Sequence, residues 1–254
     1  MRIPRRQFVK ALGASLFVPK AFDILVPSLK AQQALTPNRR LAFTASAGGG
    51  GSVTYEAQET FEGSNSGYDL TGWSATGTVN PDYTTSPAPL QGAQSLQIIN
   101  SASLGSIDRT VTSRTEYWMY LLLNITSFTG TCFFMNLYAS SSGQWNFGID
   151  SSGHLRVKDA IGGGAAVTTN ALSTGTTYSV WFHGRVGSGS NAFGEAEFQT
   201  TPTMIGSGNN YTSLSTGTGT TNYDRWFVGT GTAHTYTAIF DKCYLASTAI
   251  GSNP

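Results

Sequence analysis

The chain has 254 residues, a length that suits one large β domain or two small ones. Only 11% of the residues are charged and 30 are Gly, a composition typical of extracellular β proteins with neutral polar surfaces. Residues 1–40 hold eight of the 15 Lys and Arg and one of the 14 acidic residues, so residues 41–254 carry a formal net charge of −6. This mildly acidic part argues against a nucleic-acid partner, because neutralising phosphates requires clustered Lys and Arg.

The N-terminal segment contains "RRQFVK", in which Arg5 and Arg6 are followed by Phe8 and Lys10. This run resembles the twin-arginine export signal, which implies export of the folded protein to the periplasm, the cell surface or beyond in a prokaryote. The alternative is an amphipathic or disordered basic tail. The apolar stretches are well short of the roughly 20 residues that a spanning helix needs, so no transmembrane segment is predicted.

The composition divides the chain into four parts. Residues 1–40 form the signal-like or tail segment, and residues 41–54 form a Gly/Ser-rich linker. A β domain is predicted over residues 55–249, followed by a short tail of residues 250–254. This organisation predicts a single folded domain.

The predicted domain consists of short apolar alternations separated by turn residues, which is typical of a β-sandwich or barrel. No intervening stretch shows an apolar period of 3.6 residues, so an all-β fold is predicted. Eleven strands are predicted, at residues 55–62, 94–99, 106–112, 116–125, 132–139, 144–150, 154–159, 176–186, 194–200, 224–230 and 237–246.

The run "YSVWFHGRVGSGSNAFGEAEF", residues 178–198, predicts a hairpin, because two alternating segments flank a Gly/Ser cluster. Successive side chains of a strand point to opposite faces of the sheet. The first half therefore has an apolar core face and a mixed second face: Tyr178, Val180, Phe182 and Val186 on the former, and Ser179, Trp181, His183 and Arg185 on the latter.

The succession "FGIDSSGHLRVKD", "LSTGTTYSVWFHGRV" and "AIFDKCYLAS" resembles the concanavalin A-like and laminin G-like jelly-roll sandwiches. The resemblance covers roughly residues 55–249 and implies two packed antiparallel sheets. Such sandwiches include glycan-binding modules, adhesion domains, virion proteins, glycosidases and polysaccharide lyases, so the resemblance is specific for the fold and weak for the function.

Glycan binding requires flat aromatic faces together with a few polar partners for the sugar hydroxyls. Trp118 and Tyr120 alternate on one predicted strand, and Trp181, His183 and Arg185 alternate on another. If the two strands are neighbours, these five side chains form an aromatic platform with a polar edge. The alternative is that the aromatic residues belong to a core. We expect a non-catalytic exported module that binds a glycan or mediates surface attachment.

An enzyme that degrades polysaccharide is the main alternative. Glu195 and Glu197 lie on one face of a strand, about 7 Å apart, which would suit a glycosidase pair, although the strand lacks the E-x-D-x-x-E pattern of the glycosidases of this fold. His183 beside Arg185 is a candidate lyase pair. A third alternative is a self-associating structural protein of a cell envelope or a virion.

No cofactor is required for the binding function, but the resemblance implies a possible structural Ca²⁺ ion. In related jelly rolls a first-strand Glu and a closing-strand Asp supply ligands, and Glu62 and Asp241 match these positions, with Asp69 as a third candidate. The two cysteines, Cys132 and Cys243, either form a disulfide or remain as buried thiols.

Overall fold

A computed structural model describes residues 53–62, 72–101, 104–215, 219–230, 234–251 and 254. All of these belong to one compact unit that spans residues 42–254. The export-signal candidates Arg5, Arg6, Phe8 and Lys10, and the metal-ligand candidate Asp69, lie outside the described residues.

The described residues form fourteen strands and one short 3₁₀ helix, Gly189–Asn191. The strands are β1 (Tyr55–Glu59), β2 (Ser74–Tyr83), β3 (Ser95–Ser101), β4 (Gly105–Arg114), β5 (Glu116–Thr129), β6 (Cys132–Ala139), β7 (Ser142–Ile149), β8 (His154–Asp159), β9 (Ala165–Ala171), β10 (Thr177–Arg185), β11 (Phe193–Gln199), β12 (Tyr211–Leu214), β13 (Tyr223–Thr230) and β14 (Thr235–Ala246). Within these ranges, no helix has the length and apolar character needed to cross a membrane.

The strands pair antiparallel in two sheets. Sheet A has the order β12-β11-β10-β5-β14-β3-β2, with β1 also paired to β14, and sheet B has the order β2-β4-β13-β6-β7-β8-β9. Strand β2 belongs to both, because its first half pairs with β4 and its second half pairs with β3. The prediction of an all-β, two-sheet antiparallel jelly-roll sandwich is confirmed.

Aromatic and branched side chains from both sheets form the main core. Phe182 of β10 is fully buried, and its ring centre lies 4.8 Å from that of Phe147 and 6.2 Å from that of Phe134, both in sheet B. Burying a side chain of this size stabilises the fold by about 1.5–3 kcal/mol. The core also contains Tyr178 and Val180, so the core face predicted for this strand is confirmed.

The β10–β11 hairpin is present as predicted, with Arg185 opposite Phe193 and Val180 opposite Phe198. A tight turn joins β7 and β8: Gly153 adopts a φ of 87°, and Asp150 Oδ1 accepts hydrogen bonds from the backbone N–H groups of Ser152 (2.9 Å) and His154 (3.0 Å). These contacts explain why Asp and Gly mark this turn in the sequence.

Three strands were not predicted, and one predicted strand ends early. Strand β2 is mostly exposed and includes "GTVNPD", β9 is built from small and polar residues, and β12 has only four residues, so none shows an apolar alternation. Strand β1 ends at Glu59 instead of residue 62, because Phe61 adopts a φ of 55°.

Both cysteines, Cys132 and Cys243, are free and buried. Of the two alternatives, a disulfide or buried thiols, the structure therefore shows buried thiols.

Candidate functional site

The predicted binding residues lie together on the face of sheet A that points away from the main core, here called the outer face. Strands β5 and β10 are hydrogen-bonded neighbours, with Tyr120 opposite Trp181 and Trp118 opposite His183. The rings of Trp118 and His183 are stacked, with centres 4.4 Å apart and planes 8° from parallel. The juxtaposition expected from the sequence is therefore present.

These aromatic rings do not form an open platform. Trp181 and Tyr120 are each about 1% exposed and Trp118 is 9% exposed, because other segments of the chain cover them. They form an outer aromatic cluster, which consists of Trp118, Tyr120, Trp181, Tyr244, Ala246 and Ile250 and is covered further by Val53, Tyr55, Leu122, Met204, Tyr211 and Ala249. The flat ring faces that a stacked sugar requires are thus occupied by the chain itself.

The segment after β14 supplies part of this cover. Ile250 is 1% exposed, and the indole Nε1 of Trp181 donates a hydrogen bond of 3.3 Å to the carbonyl oxygen of Gly251. The aromatic residues of the outer face therefore act as a second core, and sheet A is apolar on both of its faces at β5.

His183 is buried between two carboxylates. Its Nε2 lies 2.8 Å from Oε1 of Glu116, and its Nδ1 lies 3.9 Å from Oε2 of Glu195. Burial alone would lower the pKa of His183, but the hydrogen bonds and charges of the two carboxylates outweigh it and the pKa is raised. Arg185 lies 4.0 Å from the same Glu116 oxygen. The cluster joins β5, β10 and β11.

The two candidate catalytic glutamates of β11 are both fully buried. Glu197 holds the segment that precedes β12: its carboxylate accepts hydrogen bonds from Gln199 Nε2 (2.8 Å) and from the backbone N–H groups of Ile205 (2.8 Å) and Gly206 (2.6 Å). Glu195 contacts His183. A glycosidase pair must face a substrate and a water molecule, and this pair faces the protein. The geometry therefore does not support a glycosidase mechanism through these two groups.

An open cleft of about 210 Å³ lies beside the outer aromatic cluster and is called the sheet A cleft. Its wall contains hydroxyl, amide and ammonium groups, and it is lined by Gln91, Tyr120, Leu122, Thr177, Tyr178, Ser179, Thr200, Pro202 and Lys242. The hydroxyl oxygens of Tyr120 and Ser179 are 3.1 Å apart, and Lys242 Nζ donates a hydrogen bond of 3.0 Å to the carbonyl oxygen of Pro254. Burial raises the pKa of Tyr120, so its phenol is neutral at pH 7.

Of the residues in the sheet A cleft, Tyr120 was predicted from the sequence as a binding residue, whereas Gln91, Ser179 and Lys242 were not. Ser179 could have been found, because it alternates with Trp181 on the outer face. Lys242 could not have been found from the sequence, because its orientation follows from a bulge in β14 and from its φ of 45°.

The two described candidates for Ca²⁺ ligands lie near the loop that precedes β3. Asp241 accepts hydrogen bonds from Gln91 N (3.0 Å) and Ser95 Oγ (2.9 Å), while Glu62 accepts two from Ala93 N. Burial is the main cause that raises the pKa of Asp241 to about 6, and the charge of Glu62 adds to it. Within the described residues no group of three or more His, Cys, Asp and Glu side chains is arranged to hold a metal ion. Backbone oxygens would have to complete the six to eight ligands that Ca²⁺ takes.

No protein-family model matches the chain, and no curated protein matches its sequence. Solved structures do resemble it. A cellulose induced protein is similar with a TM-score of 0.56 and 16% identity, over 77% of this chain and 99% of that one. An endo-β-1,4-glucuronan lyase from the fungus Trichoderma reesei is similar with a TM-score of 0.51 and 11% identity, over 77% and 96%. At these identities, the likeness shows the jelly-roll sandwich fold.

Proposed function

We propose that this protein is a glycan-binding module that holds a sugar unit in the sheet A cleft. The observation that carries the proposal is the convergence of Gln91, Ser179, Thr200 and Lys242 on one concavity beside the buried outer aromatic cluster. Binding sites for small ligands are concave and combine an apolar wall with a few polar groups that fix orientation. Leu122 and Pro202 supply apolar wall here.

The polar groups of the cleft suit sugar hydroxyls. The amide of Gln91 and the hydroxyls of Ser179 and Thr200 both donate and accept hydrogen bonds, whereas Lys242 only donates. Because the faces of Trp118 and Trp181 are covered, recognition depends on these polar contacts instead of ring stacking. We therefore expect modest affinity and a requirement for correctly placed hydroxyl groups.

Titration calorimetry with neutral and uronate-containing oligosaccharides tests the proposal. We expect one of these two classes of oligosaccharide to bind. The variant Lys242→Gln should weaken that binding by about tenfold or more, which is the effect of losing one charge-assisted hydrogen bond. Lys158→Gln, in β8 of sheet B, is the matched control and should bind as the parent does. No binding to any oligosaccharide, or equal binding by Lys242→Gln, would refute the proposal.

A polysaccharide lyase is a second candidate, because Tyr120 and Lys242 line the same cleft. Elimination from a uronate needs a cation that neutralises the sugar carboxylate and groups that move protons to and from the sugar. Lys242 is suited to the first task. The neutral phenol of Tyr120 can give its proton to the leaving oxygen and take the C5 proton of the uronate in exchange, as the C4–O bond breaks and the C4=C5 double bond forms. The fold likeness to a glucuronan lyase suggests glucuronan as the first substrate to test.

Tyr120→Phe distinguishes the two candidates, because it removes the hydroxyl and keeps the ring. If the protein is a lyase, the parent releases unsaturated ends detectable by ultraviolet absorbance, and the variant binds substrate but loses turnover. If it is only a binding module, neither protein releases product. If Tyr120→Phe still releases unsaturated ends, Tyr120 does not take part in the elimination.

A further inference from the structure

We propose a second ligand site, in which Arg109 binds a singly charged oxyanion group, a carboxylate or a sulfate ester. The site is a cleft of about 460 Å³ where β2, β4, β13 and the β6–β7 turn meet, and we call it the sheet B cleft. Its wall includes Ser74, Asp108, Arg109, Thr110, Asp224 and Arg225. The inference is independent of the function proposed for the sheet A cleft.

The charge of Arg225 is already balanced within the protein. Its Nε and Nη2 atoms both lie 2.7 Å from Oδ2 of Asp108, and its guanidinium lies 4.7 Å from the ring centre of Phe227. Asp108 is only 5% exposed, so a buried carboxylate of the cleft wall neutralises the charge of Arg225. Arg225 is therefore not the group that recruits an anion.

Within the part of the chain that the structure describes, Arg109 has no such counter-ion. Its guanidinium carbon lies 5.6 Å from the ring centre of Trp73, which itself packs 5.1 Å from Trp226 of the main core. Its Nε atom is buried without a hydrogen-bond acceptor, and none of the ion pairs found among the described residues includes Arg109. A partly buried charge without a counter-ion is costly, so an acceptor supplied by a ligand would stabilise it.

The side chains that line the sheet B cleft indicate the charge and shape of the ligand that it would bind. A guanidinium offers a planar fork of N–H donors that matches an oxyanion, and the ring of Trp73 holds that fork in place. The hydroxyls of Ser74, Thr110 and Ser141 provide further donors around the cleft. Asp224, whose Oδ1 accepts a hydrogen bond of 2.7 Å from Ser140 N, adds one negative charge to the wall and disfavours a doubly charged ligand.

A nitrogen–proton NMR titration tests the site in the unmodified protein, with the Nε–Hε resonance of Arg109 as the direct readout. The probes are sodium acetate and sodium methyl sulfate, which separate carboxylate from sulfate ester, with sodium chloride at equal ionic strength as the control. We expect a saturable shift of the Arg109 resonance with at least one probe. A linear response that equals the chloride response for both probes would overturn the proposal.

Arg109→Lys is the matched variant, because it keeps the charge and removes the fork. Its affinity for the active probe should fall by about tenfold or more, whereas Arg114→Lys, at the far end of β4 and paired with Glu56, should bind as the parent does. Equal affinity of Arg109→Lys and the parent would show that the fork does not recognise the anion. If Arg109→Lys fails to fold, the titration of the parent protein still decides the question.

Discussion

Replacing Trp181 by Ala measures how strongly the outer aromatic cluster stabilises the sandwich. Trp181 is 1% exposed, packs against Tyr120 with ring centres 5.2 Å apart and donates a hydrogen bond to Gly251. Truncating a buried Trp to Ala removes its burial and leaves a cavity, at a cost of about 3–5 kcal/mol. For a domain of this size, that cost corresponds to a fall in melting temperature of roughly 6–20 °C.

Urea unfolding followed by circular dichroism gives the free energy of unfolding for both proteins. Trp181→Phe is the matched control: it keeps an aromatic ring but loses the indole hydrogen bond and some buried area, so its cost should be smaller, about 1–2 kcal/mol. A cost below about 1 kcal/mol for Trp181→Ala would show instead that the ring is open to solvent as a platform.

Three further predictions concern the charged groups. The folded-state pKa of His183 is raised, so its protonated form stabilises the protein, fully so below its unfolded pKa of about 6.5. The stability advantage of the parent over His183→Gln, measured by urea unfolding, should therefore be largest at acidic pH and decrease as pH rises through the folded-state pKa. A pH-independent difference would contradict it. If Glu62 and Asp241 hold Ca²⁺, the ion should raise the melting temperature of chelator-treated protein, and an unchanged melting curve would reject the site. If the twin-arginine resemblance is functional, changing Arg5 and Arg6 to Lys should retain the protein in the cytoplasm, and normal export would reject it.

The fold was predictable because strand alternation and turn chemistry are local. Val180 and Phe182 share one face of their strand, opposite the mixed face that holds Ser179 and His183, and Asp150 with Gly153 marks a tight turn, so the strands and their core face can be read directly. Strand β9 could not be predicted in the same way, because "AAVTTNA" buries little apolar surface and owes its strand to pairing with β8.

The candidate site was predictable only in part. The sequence places Trp118, Trp181 and His183 on one face once β5 and β10 are neighbours, and this pairing is present. Their burial depends on Tyr211 and Ile250, which come from segments distant in the chain, and no local pattern reveals such a cover. Lys242, the charged residue of the sheet A cleft, likewise owes its position to a bulge in β14.

NMR mapping of a bound oligosaccharide tests whether the sheet A cleft is a glycan-binding site. The best-binding oligosaccharide is titrated into labelled protein, and backbone amide shifts are followed across both sheets. We expect saturable shifts that centre on four polar residues of the sheet A cleft: Gln91, Ser179, Thr200 and Lys242. Shifts confined to sheet B, or no saturable shift at these four residues, would contradict it.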